Sequence, residues 1–188
     1  MIYTDIYGLV LAGGLSTRMG TDKRLLAYHG KPHGEFLFDL LYHVCERVHT
    51  SCRKEQLISA SLNPIPDKYN YPGPINGIIS AMETNPEKAW LIVAVDMPRV
   101  TLPTLDYLIR NRDKTKVATC FLHEPENFIE PLLTLWEPKA LPLVTEYAAA
   151  GNTSPRLFLE ANPIHSLRAP DQKILSNINT PEDLENYF

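Results

Sequence analysis

Two glycines, two cations and two carboxylates are the residues here whose types and spacing can do chemistry. Gly13 and Gly14 end the apolar run Ile6 to Ala12, and the polar stretch behind them holds Arg18, Gly20 and Lys23. Glycine at a strand end lets backbone N–H groups come close to a phosphate, because no Cβ intervenes and positive φ costs little. Arg18 and Lys23 add mobile charge on flexible side chains, so the stretch suits a phosphate group. It is not a Walker A loop, in which Lys directly follows the last glycine and precedes Ser or Thr, because here Gly20 is followed by Thr21, Asp22 and Lys23. The G-x-G-x-x-G dinucleotide fingerprint is also missing. Asp96 closes a second apolar run, AWLIVAVDMP at residues 89–98. A hard divalent cation such as Mg²⁺ takes oxygen ligands, usually one or two carboxylates with substrate phosphates completing the shell. Ligands of open α/β sheets bind at the carboxyl ends of strands, where Asp96 falls, although Asp96 or Thr101 could instead cap the next helix. Asp67 stands ahead of a Pro-Gly-Pro turn in residues 63–78, a stretch rich in Pro, Gly, Asn and Tyr that reads as a stiff loop able to close over a purine.

These residues need elements that end where they sit. Ile6 to Ala12 predicts a buried strand running into a tight turn. Phe36, Leu37, Leu40, Leu41, Val44 and Val48 recur at helical spacing and predict a helix over 36–48, followed by a second short strand from Gln56 to Ala60. The loop 63–78 feeds a helix through Ile78 to Met82. The run from Ala89 is continuous enough for a strand covered on both faces. Thr101 to Arg110 reads as a helix, Lys116 to Leu122 and Leu132 to Trp136 as strands, and Leu141 to Ala150 as a helix stopped by Gly151. In NINTPEDL, residues 177–184, Thr180 is an N-cap, Pro181 occupies N1, and Glu182 and Asp183 lie in the first turn, where acidic groups suit the helix dipole. Strand and helix alternate nearly throughout. The expected architecture is a single three-layer α/β/α Rossmann-like domain over residues 1–188 with a mainly parallel sheet.

Composition narrows the partners. A chain of 188 residues with 44% hydrophobic side chains can bury one continuous core. Eighteen basic against twenty-two acidic residues give a formal charge of −4, too balanced for nucleic-acid binding through a broad basic surface, so an anionic ligand must be held locally. Cys45, Cys52 and Cys120 are an odd number without CxxC spacing, which indicates reduced thiols in a cytoplasmic protein. The first apolar stretch is too short to span a bilayer or act as a secretory signal. The six histidines form no H-x-x-H or H-E-x-x-H motif, so no zinc site is expected.

LAGGLSTRMGTDK, residues 11–23, resembles the L-A-G-G-x-S-x-R-M-G-x-D-K signature of the molybdenum cofactor guanylyltransferases, the MobA-like enzymes among the nucleotidyltransferases of nucleoside-diphosphosugar type. The other motifs follow in the family's order. Asp67 with PGPING resembles an Asp followed by G-P-L-A-G-I; Asp96-Met97-Pro98 resembles its D-x-P; GNTSPRLFLE at 151–160 resembles G-x-x-S-x-R-x-F-L; and NINTPEDL resembles its N-x-N-T-P-E-D/E-L close. The resemblance implies transfer of GMP from GTP to the phosphate of molybdopterin (the molybdenum cofactor), giving the guanine dinucleotide cofactor and pyrophosphate. It places the backbone of Leu11, Ala12, Gly13 and Gly14 near base and ribose, Arg18 and Lys23 on the phosphates as catalytic cations, and Asp67 on the guanine or its ribose. Asp96 would hold Mg²⁺. Arg156 would meet an acceptor phosphate, Asn177 and Asn179 the pterin, and other cofactor-biosynthesis proteins would deliver the acceptor. No general base is expected, because positioning and charge neutralisation supply most of the effect. Three positions depart from the pattern: Asn76 replaces a small residue, Ser61 stands where relatives carry an Asn after the second strand, and Glu130 precedes Pro131. Alternatives are a relative using CTP or another phosphorylated acceptor (cobinamide phosphate or a sugar phosphate), and a non-catalytic partner that hands molybdopterin on. Cytidylyltransferase relatives usually carry Ala at the second glycine, so Gly13-Gly14 argues against CTP.

Overall fold

The computed structural model describes residues 1–13, 22–124, 126–178, 180, 182 and 183. The first strand, β1 (Tyr3–Leu11), alternates its side chains between two buried surfaces, Ile6 and Val10 on one and Tyr7, Leu9 and Leu11 on the other. Helix α1 (His33–Tyr42) then leads into β2 (Cys45–Cys52), which pairs parallel to β1. The expected helix over 36–48 thus stops at Tyr42. Leu40, Val44 and Val48 satisfy a four-residue spacing, but Val44 and Val48 belong to the return and to the strand, where β-branched side chains pack well and the ladder with β1 decides the outcome. No strand forms over 56–60 either; a 3₁₀ turn spans Ala60–Leu62, capped by Ser59 accepting from the Ser61 N–H.

The proline-rich stretch contains a three-residue strand, β3 (Pro64–Pro66), which lies at the sheet edge where missing N–H donors are tolerated. Helix α2 (Ile75–Met82) begins three residues earlier than its apolar spacing predicts. The run after it forms β4 (Ala89–Ala94), buried at every position. Helix α3 (Leu102–Arg110) is capped by Thr101, whose hydroxyl accepts from the Thr104 N–H at 3.4 Å. Then come β5 (Ala118–His123), β6 (Phe128–Trp136), α4 (Ala140–Ala149), α5 (Pro155–Glu160) and β7 (His165–Arg168). The sequence reading missed α5 and β7. Ser154 caps α5, accepting from the Leu157 N–H at 3.3 Å, and Pro155 opens its first turn, so its start signal was present. Thr180 accepts the Asp183 N–H at 3.1 Å as the N-cap expected of it, and Asp183 in return accepts the Thr180 N–H at 2.8 Å.

The strands form one sheet in the order β3-β2-β1-β4-β6-β5-β7, parallel except for β6, which runs antiparallel to both β4 and β5. Helices α1 and α3 cover one face over Val10, Leu91, Val93 and Leu135; α2, α4 and α5 cover the other over Leu9, Trp90, Ile92 and Trp136. This is the three-layer α/β/α arrangement. The β5–β6 register jumps from Cys120–Thr134 to Phe121–Glu130, so Pro131, Leu132 and Leu133 bulge out of that ladder. Glu130 holds the bulge from both ends, its carboxylate accepting the Leu132 N–H at 2.9 Å and its carbonyl the Thr134 hydroxyl at 2.7 Å. At the opposite end of the sheet Arg112 links Glu137, just after β6, to Asp5 of β1. Among the described residues no helix is long and apolar enough to cross a membrane.

Candidate functional site

A cavity of about 240 Å³ opens at the carboxyl ends of β1, β2 and β4. Leu11 and Gly13 enter it from β1, Ser51 from β2, and Ala94, Val95 and Asp96 from β4 and its exit. The loop between β3 and α2 supplies Asp67, Gly73 and Pro74, the first turn of α2 supplies Gly77, and the bulge of β6 delivers Leu132. Lys23 reaches in from the 3₁₀ turn Lys23–Leu25. Gly77 is required by contact: a Cβ there would lie 2.9 Å from Ser51 Oγ and 3.2 Å from Leu11 Cδ2, so glycine lets α2 start flush against the strand ends.

Lys23 and Asp96 form a charged pair in the cavity, which the carboxylate of Asp67 also lines. Lys23 Nζ lies 3.9 Å from Asp96 Oδ2, with side chains only 11% and 19% exposed. Burial pushes the Asp96 carboxyl above its ordinary range; Lys23 opposes that shift and the carboxylate of Glu130 adds to it. Asp96 does not cap α3, since Thr101 does. Its buried Oδ1 has no hydrogen-bond partner among the described residues, and the same holds for Oδ1 of Asn177. The two are tied together through the backbone, because the Ile178 N–H donates to the Asp96 carbonyl at 2.8 Å. Unsatisfied buried oxygens are uncommon in folded proteins. A carboxylate and an amide oxygen left unsatisfied on neighbouring loop segments, joined by the Ile178–Asp96 backbone bond, are hard donors of the kind Mg²⁺ prefers. Among the described residues no group of three or more His, Cys, Asp or Glu could hold a metal ion.

Asp67 is anchored by its own N–H, which donates to the Cys52 carbonyl at 2.8 Å, and its Oδ2 lies 3.7 Å from where a Cβ on Gly13 would stand. Burial raises its carboxyl, while Arg53 pulls it down and Glu55 adds to the rise. Two residues that sequence reasoning missed hold the end of β1: Arg53 Nη1 donates to the Gly13 carbonyl at 3.3 Å and Gln56 Nε2 to the Ala12 carbonyl at 3.0 Å. The polar run Arg53 to Gln56 sits directly after β2, so the missed signal followed from the misplaced strand. For the same reason Ser61 is not the residue after the second strand. Arg53 is, and Ser61 lies exposed, its hydroxyl paired with Ser59 at 2.8 Å.

The structure therefore brings Leu11, Gly13, Lys23, Asp67 and Asp96 to one cavity. Ala12 turns its side chain into the core beneath α1 and α3. Gly14, Arg18 and Asn179 lie outside the described residues. Asn177 lines a neighbouring polar cavity of about 440 Å³ with Arg99 and Lys173. Arg156 projects from α5, 3.7 Å from Glu160, its guanidinium 5.8 Å from the ring centre of Phe128. Phe128 stacks on His123, whose Nε2 is 2.8 Å from the buried carboxylate of Glu130.

A model of the MobA-like NTP transferase domain family matches residues 8–166. The molybdenum cofactor biosynthesis bifunctional protein of Synechocystis is 36% identical over 183 residues, covering 96% of this chain and 53% of that protein, so the chain spans about half the length of that relative. The molybdenum cofactor guanylyltransferase of Pseudomonas entomophila is 27% identical over 180 residues, covering 93% of each chain. Among solved structures, molybdopterin-guanine dinucleotide biosynthesis protein A from Archaeoglobus fulgidus superimposes with a TM-score of 0.80 at 24% identity, covering 96% of this chain and 95% of that one. That likeness establishes the shared fold.

Proposed function

The chain belongs to the MobA-like NTP transferase family, and from that premise we propose that it transfers GMP from GTP to the phosphate of molybdopterin, releasing pyrophosphate. The observation that carries this reading is the pairing of Lys23 with Asp96 at the mouth of β4, in a cavity whose other wall bears Asp67. An oxygen of the acceptor phosphate attacks the α-phosphorus of GTP; the new P–O bond forms as the bond to the β-phosphate oxygen breaks, and pyrophosphate takes the electron pair. The acceptor oxygen is already anionic, so no side chain need remove a proton. Lys23 offsets charge on the phosphates, and Asp67 orients the nucleoside against the backbone of Gly13. Asp96 and the amide oxygen of Asn177 would hold Mg²⁺, which when bound supplies charge neutralisation at the α-phosphate and the leaving group. The acceptor approaches from the Asn177 side, where Arg99 and Lys173 suit a phosphorylated molecule. Delivery of that acceptor falls to other cofactor-biosynthesis proteins. A cytoplasmic setting agrees with three buried cysteines, none paired with another.

Calorimetric titration with GTP, CTP, ATP and UTP in the presence of Mg²⁺ tests the assignment. Selective binding of GTP supports it; tighter binding of CTP would replace it by a cytidylyltransferase reading. Lys23→Ala is expected to weaken GTP binding by about tenfold to a hundredfold, the range for a charge-assisted contact on a phosphate. Unaltered GTP affinity in that variant would remove Lys23 from the phosphate site.

A further inference from the structure

The wall of the cavity formed by the loop after β3 is fastened to one stripe of α2. Asn76, Ser80 and Glu83 follow at spacings of four and three, which places them on the same side of the helix. Asn76 is only 4% exposed and its amide is used at both ends. Its Oδ1 accepts the Tyr69 N–H at 3.2 Å and the Ser80 hydroxyl at 3.3 Å, and its Nδ2 donates to the carbonyls of Tyr69 at 2.6 Å and Tyr71 at 3.4 Å. Ser80 Oγ in turn accepts the Lys68 N–H at 2.9 Å. Glu83 completes the stripe, accepting from the Tyr69 hydroxyl and from Lys68 Nζ at 3.0 Å. Tyr69 and Tyr71 stack at 5.0 Å above it. Four backbone groups of this stretch, the N–H groups of Lys68 and Tyr69 and the carbonyls of Tyr69 and Tyr71, thus find partners on one helix face. The residues on either side of that fastened stretch, Asp67 and Gly73 with Pro74, line the cavity.

We propose that Asn76, seconded by Ser80, is a positioning residue for recognition of the nucleoside. It holds the 67–74 wall in its binding shape before the nucleotide arrives, so that Asp67 meets the nucleoside without a loop having to be ordered during binding. The role rests on the nucleotidyl-transfer reading. It explains why an asparagine stands where the resembling pattern carries a small residue: the alanine of that pattern has no polar group to pair with the N–H and the carbonyl of Tyr69. Pre-organisation of this kind acts on affinity rather than on the chemical step.

The test compares Asn76→Ala and Ser80→Ala with the unaltered chain in three measurements: KM and kcat for GTP, inhibition by inorganic tripolyphosphate, and hydrogen exchange at the N–H groups of Lys68 and Tyr69. For Asn76→Ala the expected result is a KM for GTP raised about tenfold with kcat within about twofold, tripolyphosphate inhibition unchanged, and faster exchange at Tyr69. Ser80→Ala should show a smaller rise in KM and faster exchange at Lys68. A KM for GTP within twofold of the unaltered chain in a folded Asn76→Ala protein would overturn the positioning role. If Asn76→Ala does not fold, Ser80→Ala decides in the same way. Failure of the unaltered chain to bind any nucleoside triphosphate would overturn the transferase reading and the positioning role with it, whereas equal GTP binding by variant and parent would overturn the positioning role alone.

Discussion

Replacing Asp96 by asparagine will lower the rate of nucleotidyl transfer by about a thousandfold while leaving the fold intact, as expected when a charge acting on a phosphoryl transition state is lost. Asparagine keeps the shape and one oxygen but removes the negative charge that attracts a dication, and it leaves Lys23 facing a neutral group where a carboxylate stood at 3.9 Å. The backbone bond from Ile178 to residue 96 survives the change, so the neighbouring wall stays in place. Pyrophosphate release at saturating substrates measures the rate and circular dichroism checks the fold; a loss of less than tenfold would refute the metal assignment. A pH signature accompanies it. Burial raises the Asp96 pKa above the ordinary carboxylate value, so on acidification this group gains its proton earlier than an exposed aspartate does. On the proposed metal assignment, protons and a divalent cation would compete for the same oxygens, and cation affinity should fall as pH drops through that raised pKa. The Asp96→Asn variant should lack this dependence.

The largest stability effect is expected at the other end of the sheet. Arg112→Leu will destabilise the protein by about 3–5 kcal/mol, the cost of leaving a buried ionic partner uncompensated. Arg112 meets the Glu137 carboxylate in a two-point fork, Nε at 2.5 Å and Nη2 at 2.7 Å, and its remaining arm reaches Asp5 at 2.8 Å. The two paired side chains are 8% and 3% exposed. For a chain of this size the loss corresponds to a melting temperature lower by roughly 10 °C. Because β6 is antiparallel, its end at Glu137 lies away from the carboxyl ends of β1 and β4, so kcat at 25 °C should hold. Combining Arg112→Leu with Glu137→Leu should recover much of the loss, since two apolar groups can replace a buried pair. A melting temperature within 2 °C of the parent's in the single variant would show that Glu137 finds another partner.

The parts of this fold legible in the sequence are those whose side chains give one message. The runs ending at Leu11 and Ala94 are apolar on both faces, so β1 and β4 were readable along with the residues at their exits, Gly13 and Asp96. The boundary between α1 and β2 was not readable, because Val44 and Val48 fit a helical stripe and an inward strand face equally well. That single ambiguity displaced the second strand and hid Arg53 and Gln56, whose work is to hold carbonyls of a segment forty residues earlier. The reversed direction of β6 has no sequence signal of its own, since strand direction depends on partners. Its bulge was hidden for a related reason: Glu130 reads as an anomalous charge before a proline until its carboxylate is seen gripping the Leu132 N–H. Asp67 was legible from its place ahead of the Pro-Gly-Pro turn, and the contacts that a Cβ at Gly77 would make with Ser51 and Leu11 give the glycine of PGPING a steric reason.

The three buried cysteines make the native protein report on its own opening. Cys45, Cys52 and Cys120 are no more than 3% exposed, and burial raises all three thiols, Cys120 to about 12. Thiolate is the reactive form, so a water-soluble alkylating reagent gains almost nothing from the closed molecule. Labelling must wait for local separation of the strands that cover each sulfur. The three positions lie on β2 at its start and its end and in the middle of β5, so labelling rates resolved by mass spectrometry give three separate opening equilibria. Cys52 leads straight into the segment that carries Arg53 and, through its carbonyl, anchors Asp67. Occupancy of the cavity should therefore slow labelling there more than at Cys45. No dye or tag is needed to follow ligand binding.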